Sequence, residues 1–313
     1  MRPGKIALLA ITASALLLGT QSLPASAKTA AGAPAATSPQ AEHASRPAAD
    51  PTAVNEALVV YMFEQLLYAN NSSVIDKYVS PTYVQHNPTL GDGPEGLRAY
   101  IDWRRAQDPQ PRNLLWRVVA QGDLVSIMND YQQAPGRSYA DIVDTFRVEN
   151  GKLAEHWDVI QTVPSSTASG HDLYSTLSAP SGDMPDPTAS TGRTEQVVEK
   201  YFDGLHERHD PSVINRYVAG GLIQHDPGLT DGSAVVRSAY DAERAAHPRA
   251  RVSSRMWIAQ GDYVTVRYHY QATPADRGQA VAETFRVRDG KIVEHWDVVQ
   301  DVPATAANPN TMF

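Results

Sequence analysis

Nearly all of this chain is written twice, and that constrains its fold more than any other feature. Residues 140–164 read ADIVDTFRVENGKLAEHWDVIQTVP, and residues 280–303 read AVAETFRVRDGKIVEHWDVVQDVP. His156 and His295 are 295 − 156 = 139 positions apart. The same offset carries Gln85-His86-Asn87-Pro88 onto Gln224-His225-Asp226-Pro227, and Val74–Val79 onto Val213–Val218. One offset holding from the first helical stretch to the last strand means duplication of a whole domain. A unit this long, present only twice, is not a solenoid repeat.

The 313 residues allow two domains, each able to bury its own core. The net charge of −8 and the lack of any basic stripe argue against a nucleic-acid partner. Cysteine is absent, which removes disulfides, thiolate metal sites and Cys nucleophiles. Arg2 and Lys5, an apolar run from Ile6 to Leu18, and Ala25-Ser26-Ala27 predict a cleaved secretory leader, hence a secreted protein. The run is short for a bilayer span, so no membrane partner is expected of the mature form. The expected organisation is a leader at 1–27, an Ala/Pro/Ser/Thr-rich tether at 28–51, domains at 52–164 and 193–304, and a linker at 165–192. Leu173 and Tyr174 are the linker residues able to dock.

Within each unit helices come first and strands follow. Thr52 is a plausible N-cap for a helix carrying Val54, Leu58, Met62 and Leu66 at helical spacing; its counterpart begins near Thr194. A short helix covers 74–79, a short strand runs from Tyr83 to His86, and Pro94 opens a third helix. Four strand-like runs follow, at 113–120, 124–132, 139–148 and 152–163. Asn150-Gly151 and Asp289-Gly290 predict tight hairpins between the last two runs of each unit, because these residues tolerate positive φ. The fold class is α+β: two tandem cones, each of three helices packed on a curved antiparallel sheet, with a pocket between helix and sheet.

That element order resembles the nuclear transport factor 2-like cone. The strings YVQHNP, QGDLV and DTFRVENGKLAEHWDVIQ, with their second copies, resemble the SnoaL-like (polyketide cyclase-like) branch, and within it proteins described as predicted aldol-condensation-catalysing enzymes. Strand alternation puts His156 and Asp158 on one face with Trp157 on the other, and likewise His295 and Asp297 around Trp296. A His and a carboxylate two residues apart can work as a coupled acid–base pair. The resemblance implies the general acid/base role for Asp158 and Asp297. His86 and His225, each just before the Asn/Asp-Pro step, are expected to face these pairs across the cavity. Asp92 and Asp231 read as turn formers, and Tyr61, Tyr83, Tyr100 and Tyr131 as pocket or core.

Related sequences often place His at two alternating positions in the strand after QGD. Here the first copy has Met128 and Asp130, the second Arg267 and His269. Having kept His269, the second copy is expected to be the more active. His86, Asp130 and His156, or His225, His269 and His295, could gather around an ion, but no close-spaced ligand motif supports a metal and no cofactor is expected. The remaining readings are a secreted enzyme of aldol cyclase, isomerase or hydrolase type acting on a small carbonyl compound, and a non-catalytic secreted binder of a small apolar ligand. The partner is then a small molecule, with the two domains pairing on each other or forming a homodimer.

Overall fold

A computed structural model describes residues 50–178 and 183–313. The leader expected at 1–27 and nearly all of the tether lie outside the described residues. The first repeat begins with α1 (Pro51–Phe63), which is capped by Asp50 rather than Thr52: the carboxylate accepts the Thr52 N–H at 3.0 Å and Pro51 fills the first turn. α1 continues as a π-helical turn, Glu64–Tyr68. A 3-10 turn at Ser72–Val74 leads into α2 (Ile75–Tyr78), β1 (Val79–Gln85) and α3 (Gly93–Arg105). β2 (Arg112–Gln121), β3 (Leu124–Ala134), β4 (Arg137–Glu149) and β5 (Lys152–Thr162) then form a meander.

The second repeat runs α4 (Thr191–His206), α5 (Ser212–Tyr217), β6 (Val218–Gln224), α6 (Ser233–Ala246), β7 (Arg251–Gln260), β8 (Tyr263–Gln271), β9 (Gln279–Arg288) and β10 (Lys291–Asp301). Both hairpins open on the expected turns, with φ of 51° and 71° at Asn150 and Gly151 and 49° and 73° at Asp289 and Gly290.

The sheets are ordered β1-β5-β4-β3-β2 and β6-β10-β9-β8-β7. The four meander strands are antiparallel, whereas β1 joins β5, and β6 joins β10, in parallel. The first short strand therefore sits directly beside the strand that carries His156 or His295, with Gln85 opposite His156 and Gln224 opposite His295. Helices cover one face of each sheet. Val59, Phe63, Ile75 and Ile101 close the first core, and Val198, Phe202 and Ile214 the second.

The other faces of the sheets meet in a third cluster, built from Val119, Met128, Val143 and Val159 of the first repeat and Ile258, Tyr263, Trp296 and Val298 of the second. Four glutamines stitch this seam in exchanged pairs. Gln260 accepts the Ala120 N–H and Gln121 that of Ala259, at 2.7 and 2.8 Å. Gln300 accepts the Ile160 N–H and Gln161 that of Val299, at 2.9 and 2.8 Å. Each partner relates to the other by the sequence offset, which is the isologous pattern of a twofold dimer written into one chain.

The segment after β5 is packed rather than loose. Leu173 and Tyr174 are buried, and the Tyr174 ring stacks on Trp116 with centroids 5.6 Å apart.

Trp296 is fully buried at the seam, with the Arg117 guanidinium 3.7 Å over its ring. Trp296→Ala should cost about 3–5 kcal/mol, the usual scale for a large aromatic lost from a packed interior. Urea denaturation read by circular dichroism checks this; a loss below about 1 kcal/mol would mean the seam contributes little to the fold.

Candidate functional site

β5 places its alternate side chains on two unlike surfaces. Trp157 goes to the seam side, and His156 and Asp158 go into the cone of the first repeat, where they line a cavity that opens to solvent. Helix residues Met62, Phe63, Leu66 and Leu97 make an apolar wall. Tyr83, Gln85, Asn87, Asn113 and Asp144 join His156 and Asp158 at the polar end.

The polar groups form a connected chain. His156 Nε2 lies 2.8 Å from Asp144 Oδ1, and Nδ1 lies 2.8 Å from Gln85 Oε1. Gln85 Oε1 also accepts the Asn87 N–H at 2.9 Å, so it is an acceptor for the imidazole and Nδ1 carries a proton. Asn129 donates to Asp144 Oδ2 at 2.7 Å, and Asn87 donates to Asp158 Oδ2 at 2.6 Å. Asp158 Oδ1 is buried and has no hydrogen-bond partner among the described residues.

Burial alone would pull the His156 pKa down. The bond to Asp144, with the charges of Asp144 and Asp158, outweighs it and holds the imidazole above its usual value. Burial, reinforced by the Asp144 charge, pushes Asp158 up against the opposing pull of His156 and Asn87. The His156 imidazole thus favours its charged form more than a free imidazole does, and the Asp158 carboxyl favours its neutral form more than a free carboxyl does. Tyr83 accepts from Gln85 Nε2 at 3.3 Å; burial first, then the nearby carboxylates, keep its phenol protonated, so its own O–H is available as a donor.

Asp144, His156 and Asp158 present ligand atoms within 4.8 Å of one another. The imidazole nitrogens among them are engaged by Gln85 and Asp144, which describes a proton-holding chain. The ion sets considered from sequence are not assembled, because Asp130 lies on the seam side, bonded to Ser138, Gln132 and the Tyr174 hydroxyl.

His86 and His225 do not face the pairs. On β1 the residue level with His156 is Gln85, so His86 turns to the opposite face. It stacks on Trp157, with centroids 4.8 Å apart, and its nitrogens face Glu155 and the Thr311 carbonyl. His225 does the same with Trp296, Glu294 and the Asp172 carbonyl. His269 is also outside its cone. It follows Tyr268 on β8, and Tyr268 takes the inward face, leaving His269 bonded to the Arg277 carbonyl and stacked on Phe313. Asp92 and Asp231 clip the loop after the first strand, accepting the Gln85 and Gln224 N–H groups at 2.9 Å.

The second cone keeps the pair but changes its company. His295 meets Gln224 at 2.9 Å, while Glu283, in the place of Asp144, is 3.6 Å from Nε2. Asp226 stands where Asn87 stood. Burial, then the Asp226 charge, raises Asp297 to about 7. Large rings occupy the interior: Phe202 packs edge-on against both Trp257 and Tyr268, at 5.3 and 5.2 Å. Tyr268 replaces Asn129 and Trp257 replaces Val118 of the first repeat, so the expectation that the second copy is the more active loses its structural basis.

The family model described as the SnoaL-like domain matches residues 59–156 and again 198–295. These matches cover more than half of the chain, and the chain belongs to the SnoaL-like family, as two tandem copies. A comparison with curated proteins finds no match. Similar solved structures include a nuclear transport factor 2-like protein of unknown function from Mesorhizobium loti, at 23% identity over 37% of this chain and 97% of that one, with a TM-score of 0.31. Others are a SnoaL-like polyketide cyclase from Agrobacterium tumefaciens (14% identity, 34% and 91% covered, TM-score 0.30) and TsrD from Streptomyces laurentii (17%, 36% and 90%, 0.30).

The pKa shifts fix the sign of the pH dependence. His156 is raised, so its stabilisation is complete below the unfolded value of about 6.5 and is lost as pH rises through the folded value. Asp297 is raised too, and a raised carboxyl costs stability increasingly from about pH 4 up through its folded value of about 7. In urea titrations His156→Gln should therefore be most damaging at acid-to-neutral pH and least damaging on the alkaline side. Asp297→Asn should be more stable than the parent above neutrality, with the gain vanishing near pH 4. A gain that is flat with pH would mean that charge burial is not its source.

Proposed function

We propose that the first repeat binds a small, partly apolar carbonyl compound and carries out acid–base chemistry on it without a cofactor, in the manner of an aldol cyclase or isomerase. The observation that supports this most is Asp158 Oδ1, a buried carboxylate oxygen without a protein partner in a cavity with an apolar wall. Leaving such a group unpaired costs roughly 1–3 kcal/mol, which a ligand donor or an acidic C–H would offset. In this reading Asp158 removes a proton from the carbon next to the carbonyl. The Tyr83 hydroxyl donates to the oxygen that becomes negative, and the His156 charge, held by Asp144, lowers the cost of forming it. The protonated Asp158 then returns its proton to carbon in an isomerisation, or to the new hydroxyl oxygen in an aldol closure.

The second repeat, with its interior occupied by aromatic rings, serves mainly as the permanent partner of the first across the seam. The leader at 1–27 adds export to the proposal, with the mature chain starting near Lys28. The second reading, a binder without turnover, draws support from the apolar wall and makes the same demand on the cavity.

The test uses N-phenyl-1-naphthylamine, whose fluorescence rises in apolar sites, displaced by a panel of small ketones and diketones, followed by product analysis. Leu97→Trp should abolish probe binding, and Val236→Trp in the second repeat should not. Asp158→Asn should lower turnover of a converted ketone by at least about 10²-fold while the fold persists. Displacement without conversion selects the binding reading. Failure of the probe and every ketone to bind would end both.

A further inference from the structure

The stretch that follows β10 repeats the stretch that follows β5, and each crosses to the other repeat. Ala307 N–H donates to the Pro88 carbonyl at 2.7 Å, and 139 positions earlier Ala168 N–H donates to the Pro227 carbonyl at 2.9 Å. The Thr311 carbonyl accepts from His86, and the Asp172 carbonyl from His225, both at 2.5 Å. Met312 and Leu173 are buried at matching places. Each repeat thus lays a strap over the loop after the first strand of its neighbour.

The straps differ in what their side chains do. In 307–313, Asn308 Nδ2 donates to the Asn87 and Leu90 carbonyls at 2.8 and 2.9 Å, and Asn310 Nδ2 donates to the Gln85 carbonyl at 3.0 Å. At the equivalent positions of the other strap stand Ser169, whose hydroxyl accepts its own neighbour His171 N–H, and His171, whose ring meets Asp231 at 3.0 Å. Only the strap over the first repeat grips the backbone of the loop through paired amides. The residues so held are the ones whose side chains reach the reacting end of the cavity: Gln85 on His156 Nδ1, and Asn87 on Asp158 Oδ2.

We propose that Asn308 and Asn310 of the second repeat are positioning residues for the first repeat's site, fixing Gln85 and Asn87 and through them His156 and Asp158. The site of one repeat is then incomplete without the chain of the other. This rests on the proposed function for its chemical purpose, but the geometry it asserts concerns the His156–Gln85–Asn87–Asp158 chain itself. It explains why the firmer strap lies over the repeat whose interior carries the cavity.

Full-length protein labelled with 15N-histidine provides a test that needs no substrate. Asn308→Ala/Asn310→Ala should shift the His156 imidazole titration downward by about half a unit or more, since loosening Gln85 and Asn87 weakens the acceptor on Nδ1 and the hold on Asp158. His295 should titrate as before. Affinity for N-phenyl-1-naphthylamine should fall about fivefold to tenfold. Ser169→Ala/His171→Ala should leave His156 unmoved. Asn310→Ala alone, expected to give a smaller shift in the same direction, is read by the same criteria should the double variant unfold. A folded variant whose melting temperature falls while the His156 titration stays at the parent value would overturn the proposal and leave the strap a purely structural role. If the parent protein does not bind the probe, the ligand reading fails, and the strap is still judged on the histidine titration.

Discussion

The two-sidedness of one strand governs this molecule. β5 and β10 each lie inside a sheet that is covered on both faces, by helices on one side and by the other sheet on the opposite side. Every residue along them must suit one of these surroundings, because successive side chains point to opposite faces. Trp157 and Trp296 suit the apolar, aromatic seam, where histidines and arginines stack on them. His156 and Asp158 could not be buried there without partners. In the cone they have a network of amides and a carboxylate, and one oxygen left over. A one-residue slip of either strand would put a charged pair into the seam and an indole into the cavity, so register is set by the whole strand at once.

The two repeats also show how little change separates a hollow cone from a filled one. The sheets share their order, and β1, β2 and β5 match β6, β7 and β10 in length, while β3 and β4 are longer than β8 and β9. Asn129 in one is Tyr268 in the other, and Val118 is Trp257. Asn87, a donor that keeps Asp158 company, has become Asp226, a like charge beside Asp297. Carboxylates placed together in a buried site push one another toward the neutral form, which suits a group that holds its proton better than one that takes protons up.

Much of this was legible in the sequence, and what was not has identifiable physical causes. The duplication, the helix–strand order, the hairpin turns and the inward placement of His156 and Asp158 follow from an offset, from periodicity and from alternation. Asp144 was missed for a reason of register. Counting outward from Asn150-Gly151 pairs Asp144 with Trp157 and assigns it to the wrong face. A bulge between Arg147 and Val148 shifts the ladder by one and sets Asp144 opposite Asp158 instead. Alternation applied to β1 would have favoured Gln85 over His86 had its neighbour been known, but the parallel pairing with β5 leaves no turn to count from. His269 was singled out by its chemistry rather than by its face, although alternation from the core residues Val264, Val266 and Tyr268 points it away from the cone. The strap is not legible in the sequence because Ser169 and His171 differ in type from Asn308 and Asn310; only the backbone bond within each pair repeats.

The crossed straps carry a consequence for how such a chain could have arisen. In a separate, single-copy ancestor a terminal arm reaching across a twofold seam would embrace the partner subunit. Joining two genes end to end would turn the first copy's arm into the connector without rerouting it, while the second copy's arm would keep its old grip. The connector is then a clasp as well as a link, its Ala168, Asp172 and Leu173 meeting the second repeat as Ala307, Thr311 and Met312 meet the first. Separating the halves would take from each the arm that crosses onto it.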